Sequence, residues 1–210
     1  MKINPTVSGK RKAGRPTVDR RDEILDAAER LYDAMGFEKV TVTDVARALG
    51  MSPANLYRSF ANRQAIDEAV TKRTLAAVED AAWQVARGAA ADPIAAFRQL
   101  CSDIAMKMSD ILFRSGRASD LCLAATRGHW PPVRDFTDTL HGVIRHVIAE
   151  GQRQGVMRAD LPLEQTSAAV VSAMVKVWHP VMLDTFGIAD LESETAALTQ
   201  LVLSALQSEK

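Results

Sequence analysis

The chain has 210 residues, 47% of them hydrophobic and 25% charged, enough to bury a sizeable core in one or two domains and too apolar for a disordered polymer. Its 26 basic and 26 acidic side chains cancel, yet residues 1–73 carry 14 Lys/Arg against 10 Asp/Glu while the remainder is net negative, the asymmetry expected of a nucleic-acid-facing end on a separate body. The longest uncharged run, Thr195 to Ser208, is too short to cross a bilayer, no apolar signal segment follows the basic N-terminus, and Cys101 and Cys122 form neither a disulfide framework nor a metal-ligand spacing, so a reducing cytoplasm with no membrane, metal or cofactor is expected.

Residues 1–18 hold Pro5, Gly9, Gly14 and Pro16 without an apolar period and read as a flexible basic arm. Gly14-Arg15-Pro16 would let Arg15 enter a minor groove, with a solvated tail as the other reading. From about Asp19 a helical period begins, with Ile24, Leu25, Ala28, Leu31, Tyr32 and Met35 on one face, and Gly36 ends it. Thr41 can cap a second helix while Asp44 reciprocates, Gly50 supplies a turn, and Ser52-Pro53 opens a short third helix. Leu56 and Phe60 of that helix face inward, leaving Ala54, Asn55, Tyr57, Arg58 and Ser59 outside or at the edges. Two short helices joined by a tight turn form a helix-turn-helix, a device that lays one helix in a major groove. Residues 19–80 are therefore expected to be a DNA-binding head.

Asn62 can cap a fourth helix that runs to Gly88, roughly 40 Å long, and links the head to a helical body over residues 81–210. A fifth helix starts at Asp92-Pro93 and a short sixth lies around Asp120 to Thr126. After the interruption Gly128-His129-Trp130-Pro131-Pro132, a seventh runs to Gly155. An eighth spans 163–184 with a kink at Pro180, and a ninth carries Leu191, Leu198, Leu201, Val202 and Leu206. No strand-like alternation of useful length is present, so the expectation is an all-α chain of about nine helices.

In the body, Met106, Phe113, Cys122, Trp130, Met174 and Trp178 are candidates to line an apolar ligand pocket, or else they are core and dimer packing. His129 and His179, beside Trp130 and Trp178, could be polar handles in such a pocket or simply structural. Val170, Val171, Val177, Leu198, Leu201, Val202 and Leu206 are candidates for a four-helix dimer interface. No nucleophile motif, phosphate loop or acid/base cluster points to an enzyme.

The chain resembles the TetR family of bacterial transcriptional regulators, most closely over residues 21–70. The resemblance is carried by Ile24-Leu25-Asp26-Ala27-Ala28, Leu31, Gly36-Phe37, Thr41-Val42-Thr43-Asp44-Val45-Ala46, Gly50, Ser52-Pro53-Ala54-Asn55-Leu56-Tyr57-Arg58-Ser59-Phe60 and Asn62-Arg63. In the body it is limited to all-helical organisation and the turn Gly155-Val156-Met157-Arg158-Ala159-Asp160-Leu161. It implies a homodimer on double-stranded DNA, at a near-palindromic operator, with a largely apolar small-molecule effector in the body altering the spacing of two reading heads. By the same resemblance, Thr41, Thr43, Tyr57 and Arg63 would meet phosphates and Ser52, Pro53, Ala54, Asn55 and Arg58 would meet base edges. Ser59 stands where the family often has histidine or tyrosine, and Arg63 where lysine is common. A repressor released by its effector is the function implied. A ligand-dependent activator or DNA organiser of the same fold is the nearer alternative, and a helical carrier or enzyme without DNA function the more distant one.

Overall fold

Caps and breakers written into the sequence set the elements of the computed structural model, which describes residues 20–113, 118–187 and 189–207. The N-terminal arm, including Arg15, and Gly116 lie outside the described residues. Helix α1 spans Arg21–Met35, and a 3-10 turn at Phe37–Lys39 leads to α2, Val42–Ala48. Helix α3 is only Pro53–Tyr57. The long α4, Arg63–Ala86, is capped by Asn62, whose side chain accepts from the Ala65 amide, and its 24 residues span about 36 Å.

The body continues with α5 (Pro93–Phe113), α6 (Ala118–Arg127), α7 (Pro131–Arg153), α8 (Leu163–Ala173), α9 (Val175–Trp178), α10 (Pro180–Phe186) and α11 (Leu191–Leu206). Among the described residues there is no strand, only an isolated bridge between Met157 and Gln207. The all-α expectation holds, with eleven helices among the described residues where about nine were expected. The extra ones arise because the expected helix 163–184 is broken twice, at Met174 and at His179. A proline crowds the residue before it out of the α region, so His179 is extended (φ −86°, ψ 124°) and Pro180 opens a new helix instead of kinking the old one.

Two hydrophobic cores share α4. Ile66 and Val70 belong to the head core with Ile24, Val45, Leu56 and Phe60, whereas Leu75, Val78 and Ala82 belong to the body core with Phe97, Ile104 and Ile144. Helix α6 is shared too: Leu121 is buried in the head core, while Cys122 and Leu123 face the body. Both cores are thus mechanically joined through α4 and α6.

Several expectations for the body are corrected by burial. Val170, Val177 and Leu206 are 3%, 0% and 3% exposed inside one protomer, so they cannot also face a second copy. Val171 turns toward a cavity. Leu198 and Val202 are half-buried against the body core, and Leu201 alone among the seven interface candidates is largely exposed, at 69%.

Candidate nucleic-acid interface and effector cavity

The reading head is built by local hydrogen bonds. At the start of α2 the Thr41 N–H donates to Asp44 Oδ2 (3.0 Å), the Asp44 N–H donates to Thr41 Oγ1 (3.2 Å), and the Thr41 hydroxyl donates to Asp44 Oδ2 (2.6 Å). These bonds hold the Asp44 carboxyl below the usual carboxylate range. Gly50 takes φ +61°, a left-handed turn that few other residues adopt cheaply. Beyond it Ser52 Oγ accepts from the Asn55 N–H (3.3 Å) and Pro53 occupies the first turn of α3. Leu56 and Phe60 are buried, which fixes the roll of α3 and leaves Ser52, Pro53, Ala54, Asn55, Tyr57 and Arg58 exposed together on one side. Tyr57 is half exposed, so it is not part of the head core. Thr41, the cap of α2, and Thr43 within it are exposed as well, and Arg47 adds a cation there, paired with Asp44 at 3.0 Å.

Arg63 is placed otherwise than expected of a phosphate ligand. Its guanidinium turns inward, donating to the Phe37 carbonyl and, at 3.2 Å, to the Glu38 carbonyl, with Nε 3.4 Å from Asp67 Oδ2 in an ion pair that lacks hydrogen-bond alignment. Asp67 is buried and accepts from the Tyr32 hydroxyl at 2.5 Å. Burial pushes both the Tyr32 phenol and the Asp67 carboxyl up, the latter opposed by the Tyr32 bond and Arg63. Tyr32, Arg63 and Asp67 therefore tie α1, the turn before α2 and α4 into one unit. Sequence reasoning missed this network, although Asp67 sits on the apolar stripe of α4 next to Ile66. It also missed Arg73, which bridges Asp26 (2.8 Å) and Glu29 (2.6 Å) of α1, and Arg21, which donates to the Ser59 carbonyl (2.6 Å) and stacks 4.2 Å from the Phe60 ring centre.

In the body, a cavity of about 120 Å³ lies between α4, α5, α6, α7 and the α8–α10 segment. Of the six pocket candidates, Cys122 and Trp178 line it. Met174 is fully buried in the core nearby, and Met106 and Phe113 are 37% and 58% exposed on the outside of α5. Trp130 packs against the head core: His129 adopts a left-handed φ of +51°, and Trp130 folds back so closely that a Cβ on Gly128 would lie 2.5 Å from its ring. The Cys122 thiol is pushed up to about 11 by burial, and the Trp178 Nε1–H donates to the Cys101 carbonyl at 3.1 Å, so neither side chain is a reactive group. Leu75 of α4 and Cys122 and Thr126 of α6 form part of the wall, which puts the cavity against the two helices that enter the head core.

Residues 24–70 match the family model for bacterial regulatory proteins of the tetR family, and residues 119–199 match that of the tetracyclin repressor-like C-terminal domain. The chain belongs to the TetR family. A TetR-family head is what the exposed face of α3 and its capped neighbour α2 amount to. The HTH-type transcriptional repressor ComR of Escherichia coli is 34% identical over 73 residues, 35% of the length of each protein, so the alignment spans about a third of that relative. A TetR-family regulator from Mesorhizobium loti has the same fold with a TM-score of 0.68 at 14% identity, over 90% of this chain and 97% of that one. Thermus thermophilus FadR, a TetR-family repressor solved with lauroyl-CoA, gives 0.63 at 19% identity, over 91% and 97%. Among the described residues, no helix is long and apolar enough to cross a membrane, and no group of three or more His, Cys, Asp or Glu side chains could hold a metal.

Proposed function

We propose that this TetR-family chain is a dimeric, sequence-specific DNA-binding repressor released from a near-palindromic operator by a small molecule bound in the body. The observation that carries the proposal is the shared construction of the head and the cavity wall: α4 and α6 both line the cavity and both insert apolar side chains, Ile66, Val70 and Leu121, into the head core. In the DNA complex the exposed side chains of α3 read the major groove. Asn55 offers a bidentate amide to a base edge, Ala54 and Pro53 offer apolar contact to a thymine methyl, and Arg58 and Ser52 offer polar contacts. Thr43 and Tyr57 meet phosphates, and Thr41 contributes through the cap that orients α2. Arg63 acts as a positioning residue that holds the turn before α2 on α4.

For the dimer we assign the outward faces of α8 and α11, where Ala169, Ser172, Ala173, Ala197, Leu201 and Ser204 are all exposed at helical spacing. Small side chains let helices approach closely, and Leu201 supplies the apolar anchor of a four-helix seam. Two heads so joined read half-sites separated by the groove repeat of about 34–36 Å. An effector that fits better when α4 and α6 are spread shifts the population toward a state with the heads at another spacing, and its differential affinity supplies the energy. No charged side chain lines the cavity among the described residues, so an effector with the phosphates of a coenzyme A ester, like that bound by Thermus thermophilus FadR, has no counter-ion there. The test is a mobility-shift titration of the full chain on its own upstream DNA. A salt-sensitive complex that survives excess non-specific competitor supports the proposal, and binding indifferent to sequence overturns it.

A further inference from the structure

On the reading of the body as an effector-binding domain, the chemistry of the cavity narrows the effector. Its volume of about 120 Å³ is close to that of an engineered apolar cavity of roughly 150 Å³ that accepts benzene, so it suits a molecule of about one ring. Leu75, Met108, Phe136, Leu140 and Trp178 make it mostly apolar. Nearly every polar group at the wall is already engaged. The Thr126 hydroxyl donates to the Cys122 carbonyl (2.8 Å), the Thr137 hydroxyl to the Val133 carbonyl (3.0 Å), and the Trp178 indole to the Cys101 carbonyl (3.1 Å).

His179 is the exception. It lines the cavity, held there by the chain break that Pro180 enforces, and its Nδ1 is buried with no hydrogen-bond partner among the described residues. An orphaned buried polar atom is costly and calls for an explanation. Burial, aided by the nearby His129, lowers the proton affinity of this imidazole, so it is neutral at physiological pH and one ring nitrogen is an acceptor. We propose that the cavity binds a small, uncharged, single-ring molecule carrying one hydroxyl, a phenol by chemical class, whose hydroxyl pairs with the His179 imidazole. A carboxylate of the same size would be buried without a cation and is excluded.

Calorimetric titration of the full chain with phenol, toluene and benzoate at pH 8 tests this. Phenol should bind at least about fivefold more tightly than toluene, the gain of one hydrogen bond over a methyl group of similar size, and benzoate should not bind. His179→Leu should abolish the preference for phenol while toluene still binds, and His179→Asn, which keeps a polar group at the site, should retain part of it. Toluene equal to phenol, benzoate as the tightest of the three, or a phenol preference untouched in His179→Leu would each overturn the proposal. If His179→Leu does not fold, the wild-type order and His179→Asn decide. A DNA-binding arm separates this claim from the one it rests on. Phenol preference without any specific DNA complex sinks the regulator reading, whereas a specific DNA complex without phenol binding sinks only the ligand class.

Discussion

Arg63→Ala separates a positioning residue from a phosphate ligand. In the structure the Arg63 side chain is 32% exposed and that of Asp67 7% exposed, and the guanidinium satisfies two backbone carbonyls of the turn before α2. Truncation leaves those carbonyls and a buried carboxylate without their cation. Breaking a buried pair costs about 3–5 kcal/mol, and partial exposure of the arginine reduces this to about 2–3 kcal/mol, a large share of the stability of a small head. Arg63→Lys should recover less than half, since an ammonium cannot reproduce a planar fork spanning two carbonyls. Urea unfolding measures the stability loss. Fluorescence anisotropy with operator DNA at several salt concentrations measures affinity, which should fall several-fold while the slope of log K against log salt is unchanged, because no phosphate contact is removed. A phosphate ligand predicts the opposite: normal stability and a slope reduced by about 0.9 per head. That outcome would refute the inward assignment.

Other substitutions probe the remaining parts. Asn55→Ala should relax discrimination at one base pair of each half-site by about 1–3 kcal/mol, read by binding to a panel of single-base operator variants; a uniform loss across the panel contradicts base readout. Tyr57→Phe should weaken every operator variant alike, by about 1 kcal/mol, with an unchanged salt slope, measured by the same anisotropy titration. Leu121→Ala removes a side chain 3% exposed in the head core from a helix that lines the cavity. It should cost about 2–4 kcal/mol in thermal unfolding, and in the surviving fold effector affinity should persist while the effector's influence on DNA binding shrinks. Leu201→Asp should leave the helical signal of circular dichroism intact and shift sedimentation velocity from dimer to monomer, since this side chain is exposed in the protomer and central to the assigned seam.

How far the sequence could be read depended on whether the deciding contact was local. The head was legible because its devices lie within four residues: the Thr41/Asp44 box, the Gly50 turn, Ser52-Pro53 and Asn62 all act on amides next to them in the chain. The direction of Arg63 was not, because it depends on carbonyls 25 and 26 residues away. Burial of Asp67 left a signal in its register with Ile66 and Val70 on α4, while its partner Tyr32 could be located only through the tertiary fold. In the body, periodicity put Val170, Val177 and Leu206 on apolar helix faces but could not distinguish the protomer's own core from a partner's surface. The break at His179 was within reach, since a residue before proline is driven toward extended conformations, and it is this break that brings His179 to the cavity.

Selection of binding sites from a random pool of double-stranded DNA by the full chain, followed by sequencing, tests the central claim most directly, because it assumes no operator. Enrichment of a two-fold symmetric motif whose half-sites lie a whole number of helical turns apart, with the symmetry lost for Leu201→Asp, is the result predicted. Recovery of sequences no different from the starting pool would contradict it.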